Sequence, residues 1–193
     1  VGPCLPKEGH LVPGHPVAGT ENSGPESGFA ELFEGRHCIL TPAPGTDPDA
    51  IRVIHDMWAA MGSDVEMMDA DHHDRVLAIT SHLPHLIAYT IVGTASDLEE
   101  VTRGEVIKYS AGGFRDFTRI ASSDPTMWHD IVLANRQAIL NGLDTFADHL
   151  TEVRQLIADS DGPAIKQVFS RAKQARDEHF LGQYMVGRKQ TKS

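Results

Sequence analysis

The chain has 193 residues, 40% of them hydrophobic and 23% charged, which is the balance of an ordinary globular protein. Its formal net charge of −10 argues against nucleic acid as a partner, because a phosphate-binding surface needs a basic stripe. The two cysteines, Cys4 and Cys38, make no spaced framework, so no disulfide scaffold is expected and a reducing cytoplasm is the default location.

Residues 1–9 are rich in proline and glycine and begin without an initiator methionine. His10–Val12 reads as a short buried strand, ended by Pro13-Gly14. A loop through Gly24-Pro25 leads to a short helix near Glu26–Phe33, and Arg36–Thr41 reads as a second strand closed by Pro42 and Pro44. Asp47-Pro48 opens a helix, since Asp is a good N-cap and Pro is tolerated in a first turn. Ile51, Ile54, Met57, Trp58 and Met61 give that helix an apolar stripe, and Gly62 ends it. Asp64–Met68 is a third strand, so residues 10–69 look like the closing β-α-β portion of an α/β sheet.

Everything after Asp69 reads as helix. The first helix runs from about Ala70 to Ala95 with Pro84 inside it, where the missing N–H should cause a kink. Glu99–Tyr109 is a second helix, broken by Ala111-Gly112-Gly113, and Phe114–Ser122 a short third. Asp124-Pro125 repeats the cap-plus-proline start of a helix that runs to about Asp159, roughly 50 Å at the α-helical rise. Gly162-Pro163 breaks it, Ala164–Phe180 is a last amphipathic helix, and the basic tail from Gly187 should fray. No apolar run approaches the roughly 20 residues of a bilayer span, and no basic region followed by an apolar one opens the chain. Neither a membrane partner nor a signal peptide is therefore expected.

The chemistry concentrates between Asp71 and His85. On a helix, Asp74, Ser81 and His85 fall within roughly 40° of one another, on a stripe continued by the small residues Ala78 and Ala88. A carboxylate, a hydroxyl and an imidazole beside small apolar residues suit a polar pocket in a helical core; an amphipathic helix with histidines at its solvent edge is the alternative. A metal site is not expected. His82 and His85 are three apart instead of four and lack a neighbouring glutamate, and the adjacent His72 and His73 point apart. His15 stands near the end of a strand, where ligands bind in open α/β sheets, and a histidine there can act as a general base.

Three motifs in order carry a family resemblance: His15-Pro16-Val17-Ala18-Gly19-Thr20-Glu21; Ser81-His82-Leu83-Pro84-His85; and Gly112–Ala121 with Ser123-Asp124-Pro125-Thr126-Met127-Trp128. Together they resemble prephenate dehydrogenase and its arogenate and cyclohexadienyl relatives, over about Gly9 to Ile157. The resemblance implies an α+β chain in three parts. Residues 1–69 would be the remnant of a Rossmann-like nucleotide-binding domain, 70–180 an all-α substrate-binding and dimerisation domain, and 181–193 a flexible tail. It implies an NAD- or NADP-dependent oxidative decarboxylase of prephenate or arogenate in tyrosine biosynthesis, working as a cytoplasmic homodimer.

Within that resemblance, His15 matches the catalytic base and, with Pro16, the nicotinamide end of the cofactor site. Arg119 matches the arginine that clamps a substrate carboxylate. Thr20, Ser81, His85, Gly112, Asp116 and Trp128 match residues around the substrate, and Glu21 and Asp74 an ionic network with the arginine. The family's G-x-G-x-x-G turn is absent from the sequence. The expectation is therefore a fragment lacking roughly the first 100 residues of a nucleotide-binding domain, inactive alone and binding dinucleotides with a Kd of about 1 mM or worse. The alternative is a non-catalytic helical dimerisation or regulatory module.

Overall fold

Cys38, Ile39 and Leu40 form the most deeply buried run of the sheet. They lie on β2 (His37–Leu40), the central strand, and because consecutive side chains point to opposite faces, both faces are covered there, which suits a continuous apolar segment. The computed structural model describes residues 9–19, 24–102, 105–109 and 111–179. Cys4, Thr20, Glu21, Phe180 and the predicted tail lie outside the described residues. The contacts divide the chain into two compact units, Val1–Gly142 and Leu143–Ser193.

In the first unit the sheet order is β1-β2-β3. β3 (Asp64–Met67) pairs parallel to β2, His37 opposite Asp64 and Leu40 opposite Met67. β1 pairs antiparallel, His15 opposite Ile39. β1 occupies Gly14–Pro16, a correction to the strand expected at His10–Val12. The sheet takes up Gly14 because it is a glycine: a Cβ there would stand 3.1 Å from Leu40 Cδ2 and 3.4 Å from Trp58 Nε1. Pro13 and Pro16 cost the ladder little at an edge strand, and Pro13 still accepts from Thr41 N at 2.9 Å. His15 consequently sits in the middle of a strand.

The helix expected near Glu26–Phe33 is also corrected. A single 3-10 turn spans Pro25–Ser27, and residues 29–36 make a series of four-residue turns such as Leu32 N to Phe29 O. The segment is too short between Gly24, Gly28 and Gly35 to nucleate an α-helix. The helix expected from Asp47 forms as α1 (Pro48–Ala60). The Asp47 carboxylate accepts from Asp49 N at 2.9 Å, and Gly62 closes the end at φ 88°. A Cβ on Gly62 would meet the Glu34 backbone at 3.1 Å, a second reason for glycine. The stripe packs Trp58 edge-on to Phe33, ring centroids 5.1 Å apart, with Ile51, Ile54 and Met61 half-buried and Met57 exposed.

The long helix that follows does not simply kink. α2 (Ala70–Leu77), capped by Asp69 on His72 N at 2.8 Å, opens into a π-helical segment, Ala78–His82, before α3 (Leu83–Thr102) resumes. Leu83 N bonds Ala78 O, five residues back. The wider turn falls just before Pro84, which has no N–H to continue the ladder. Counted as one helical run, Ala70–Leu98 is 29 residues with a mean hydropathy of 1.4 over its best 18-residue stretch. By length and composition it is long and apolar enough to cross a membrane, which corrects the expectation that no run approaches that size.

α3 runs on past the expected end at Ala95, and α4 (Glu105–Lys108) follows. The expected breaker Gly112-Gly113 is instead the first turn of α5 (Gly112–Thr118), which tightens into a 3-10 turn at Arg119–Ser122. The single helix expected from Pro125 to Asp159 is two: α6 (Pro125–Ala134) and α7 (Arg136–Ala158). They are separated by Asn135 at φ −106°, ψ 32°. Gly142 on α7 lets that helix press on the π segment; a Cβ there would lie 2.8 Å from Ile79 Cδ1. Ile139, one turn earlier, is 2% exposed.

In the second unit, the chain turns through Ser160 at φ 56° into α8 (Gly162–His179), and Asp161 caps it on Ala164 N at 3.0 Å. The break thus lies at 159–161, and Gly162-Pro163 begin the next helix, where proline needs no donor.

Candidate active site

The π segment turns Ser81 and His82 toward the same space as His85 one turn on. A cavity of about 500 Å³ lies there, within the usual range for small-molecule sites. β1 and the following residues to Gly19 line one side; Ser81, His82 and His85 line another; Arg119, Ser123, Trp128 and Ile131 close it. His15, Ser81, His85, Arg119 and Trp128, from three distant parts of the sequence, therefore meet on one cavity, and Pro16 joins them. Gly112 and Asp116 are exposed on α5 and do not line it. Asp74 is not on the wall either; its carboxylate holds His73 Nδ1 at 2.9 Å. Thr20 and Glu21 fall outside the described residues.

Three contacts set the site's polarity. His85 Nδ1 lies 2.8 Å from Ser81 O, and because a carbonyl only accepts, Nδ1 carries the proton and Nε2 is the acceptor. The Asn135 amide donates to Asp74 O at 2.8 Å and to His82 Nδ1 at 3.2 Å, so His82 has the opposite tautomer, with Nε2–H as donor. His15 Nδ1 meets His73 Nε2 at 2.8 Å, the rings edge to face. Asn135 and His73 were not singled out in the sequence. Asn135 was visible as the first polar residue after Ile131-Val132-Leu133-Ala134, and His73 only as a neighbour of Asp74.

Burial lowers the pKa of all three cavity histidines. For His15 desolvation dominates and His73 adds to it. His82 is lowered by burial and by His15, against an opposing pull from Asp74. His85 is lowered by burial and by the Arg119 charge, against its bond to Ser81. All three are therefore biased toward the neutral ring that can accept a proton or a hydrogen bond. Trp128 stacks on His85, centroids 3.8 Å apart at 24°, and meets His82 edge-on at 6.0 Å. Its indole is 7% exposed and its Nε1 is buried without a hydrogen-bond partner. A buried donor without a partner costs stability, and on this cavity the indole N–H is available to an acceptor. Tyr89 OH, donating to Ser123 O at 2.6 Å, ties the Arg119 turn to α3.

Away from the cavity, His37, Asp64 and Glu66 bring ligand atoms within 4.8 Å of one another at the exposed β2–β3 edge. The group uses none of the histidines weighed for a metal from the sequence. His37 lies 3.4 Å from Glu66 and 3.5 Å from Asp64, contacts that an exposed histidine makes with carboxylates without an ion.

Comparison with known proteins gives the same picture over most of the chain. Residues 3–67 match the family described as prephenate dehydrogenase, nucleotide-binding domain, and residues 69–171 match prephenate dehydrogenase, dimerization domain. The chain is 48% identical over 166 residues to a cyclohexadienyl dehydrogenase from Zymomonas mobilis, covering 86% of this chain and 57% of the relative. It is 35% identical over 173 residues to prephenate dehydrogenase from Bacillus subtilis, covering 90% and 46%. Among solved structures, prephenate dehydrogenase from Aquifex aeolicus in complex with hydroxyphenyl propionate and NAD+ superposes with a TM-score of 0.80 at 38% identity. That match covers 86% of this chain and 58% of the other. The chain thus spans about half the length of the curated relatives it matches. With two adjoining domain descriptions matched in order and the cavity built from the three sequence motifs, the chain belongs to the prephenate dehydrogenase family.

Proposed function

We propose that the cavity is the substrate side of an NAD- or NADP-dependent enzyme that oxidatively decarboxylates prephenate or arogenate in cytoplasmic tyrosine biosynthesis. The observation that carries the reading is the convergence of a neutral-biased histidine, an arginine and an orphan indole N–H on one cavity. The substrate is a cyclohexadiene with a hydroxyl, a ring carboxylate and a side-chain carboxylate, groups that a base, a guanidinium and hydrogen-bonding side chains can meet. His15 accepts the ring hydroxyl's proton. Arg119 takes a carboxylate through its guanidinium fork. His82, with Nε2–H, offers a donor, His85 an acceptor, and the Ser81 hydroxyl either.

As the hydroxyl proton passes to His15, the hydride on the same carbon leaves. The bond to the ring carboxylate breaks, CO2 departs, and the electron pair left behind completes the aromatic ring. The proton on His15 returns to the new phenolic oxygen. The dinucleotide, when bound, supplies the hydride acceptor. The residues present suit its nicotinamide end, beside His15 and Pro16, where the cavity wall runs along the edge strand. Thr20, Gly112, Asp116, Glu21 and Asp74 keep their family roles as part of the proposal, with Gly112 and Asp116 serving from α5 across the assembled dimer. The division at residue 69 into a nucleotide-binding and a helical part belongs to it too, supported by the adjoining matches at 3–67 and 69–171.

The homodimer is supported by the dimerization-domain match and by the apolar residues that the helices leave exposed, including Ile79, Ile91, Leu133 and Leu140. Its interface should exceed about 2,000 Å², as in obligate dimers. Light scattering at micromolar concentration should give twice the chain mass, and a monomer would refute it. For the substrate, titration calorimetry with prephenate and with arogenate should show one-to-one binding that Arg119→Ala weakens. Heat from neither compound would overturn the reading.

A further inference from the structure

The reaction assigned above needs His15 to offer a bare nitrogen to the cavity, and a neutral imidazole can carry its single proton on either nitrogen. Something must choose. Asp74 is a carboxylate, and a carboxylate only accepts. Its Oδ1 lies 2.9 Å from His73 Nδ1, so that nitrogen carries the His73 proton. The other nitrogen of a neutral His73, Nε2, is then an acceptor. It lies 2.8 Å from His15 Nδ1, so the His15 proton is drawn to Nδ1 and Nε2 is left bare.

We propose that His73, backed by Asp74, is a positioning residue that holds His15 in the Nδ1–H tautomer and so presents Nε2 as the acceptor in the cavity. The proposal rests on the functional reading for its purpose, but the tautomer itself is a property of the ligand-free chain.

Three features support the arrangement. The Asp74–His73–His15 line crosses from α2 to β1, joining elements 58 residues apart in the chain. The His73 side chain is only 17% exposed, so little water competes for its nitrogens. Asp74 is fixed from its backbone as well, because its carbonyl accepts from Asn135 on the far side of the π segment. The same asparagine holds His82, which faces His15, in the reverse tautomer, so the two rings present an acceptor and a donor. The order carboxylate, imidazole, reacting group is the logic by which a buried carboxylate orients a catalytic histidine, here extended by one ring.

The test is nitrogen-15 NMR of labelled imidazoles in the full chain, without ligand, above pH 6.5. In the unsubstituted chain His15 should show the Nδ1–H signature. In His73→Ala it should lose that signature and shift toward Nε2–H. His73→Gln, whose side-chain oxygen can still accept, should retain it in part. In Asp74→Ala, His73 is released to protonate Nε2 and donate to His15, so His15 should again shift toward Nε2–H.

His85, held by the Ser81 carbonyl, should stay Nδ1–H in every variant and reports that the fold is intact. Nε2–H on His15 in the unsubstituted chain, or an unchanged His15 signature in His73→Ala with His85 intact, would overturn the proposal. If His73→Ala also disturbs His85, the Asp74→Ala and His73→Gln spectra decide it by the same criterion. Failure of prephenate and arogenate to bind by calorimetry would instead overturn the function and leave this tautomer result standing.

Discussion

Two helical regions of the first unit start alike and end differently. α1 and α2 both open on an aspartate whose carboxylate accepts from a backbone N–H of the first turn. α1 then runs 13 regular residues to a glycine stop, its stripe against the sheet and Phe33. The run begun by α2 widens into five π-helical residues before Pro84 and carries Ser81, His82 and His85 to a cavity. The first builds the scaffold by satisfying every local rule. The second departs from α geometry where the site is, and the departure is held by long-range contacts: Asn135 on Asp74 and His82, and His73 on His15. Regular elements position a site, and the irregular one supplies it.

If that division is right, scaffold variants should change stability and leave ligand binding alone, and site variants the reverse. The largest expected effect is on the scaffold side. Leu40 is fully buried at the end of β2, the central strand, and Leu40→Ala should cost about 2–5 kcal/mol of unfolding free energy. A urea melt showing under about 1 kcal/mol would mean the sheet is not the core it resembles. On the site side, Arg119→Ala should weaken prephenate binding by about 2–3 kcal/mol, roughly 30- to 150-fold. The folded midpoint should barely move, because Arg119 is exposed. Arg119→Lys should recover only part, lacking the fork. Unchanged affinity in calorimetry would return the arginine to the scaffold.

Smaller effects sharpen the contrast. Asn135→Ala removes both bonds that brace the π segment and should cost about 1–2 kcal/mol while also weakening substrate binding. Asp47→Ala removes the α1 cap and should cost about 1 kcal/mol with no change in binding. Equal effects on binding would erase the distinction between the two regions.

The smallest effect per group is in pH, because each ring is only half-buried and solvent screens it. His15, His82 and His85 all have folded pKa values below their ordinary 6.5. The folded state therefore binds fewer protons than the unfolded one below that pH. The stability these neutral rings contribute is complete above 6.5 and is lost as pH falls through the lower folded values. The thermal midpoint should fall on acidification from about pH 7 to about pH 5, and His85→Gln should flatten part of that slope. A midpoint constant over that interval would show the rings to be as solvated as on the surface.

Much of this protein is local and so was open to reading from the residues alone. Asp47-Pro48 and Asp124-Pro125 start helices because a cap and a first-turn proline act within three residues. β2 follows from a short apolar run and β3 from the alternation Asp64-Val65-Glu66-Met67, and Gly62 stops α1 because it must adopt positive φ. The three motifs that meet at the cavity were likewise legible as motifs. The register of β1 was not, since it depends on how closely Gly14 can approach Leu40 and Trp58. Nor was the short turn series at residues 25–35, where three glycines outweigh a helical pattern.

The π segment was only half legible. Pro84 announces a disturbance, but whether it becomes a kink or a wider turn depends on what the freed backbone and side chains meet, and they meet Asn135 and the close face of α7 at Gly142. His73 shows the limit most plainly. In the sequence it is one of two adjacent histidines beside an aspartate, and its place between Asp74 and His15 exists only because packing brings a strand 58 residues away within 2.8 Å. Capping, breaking and periodicity act over a few residues and are written in the chain. The direction of a proton along three side chains depends on distances that folding alone creates.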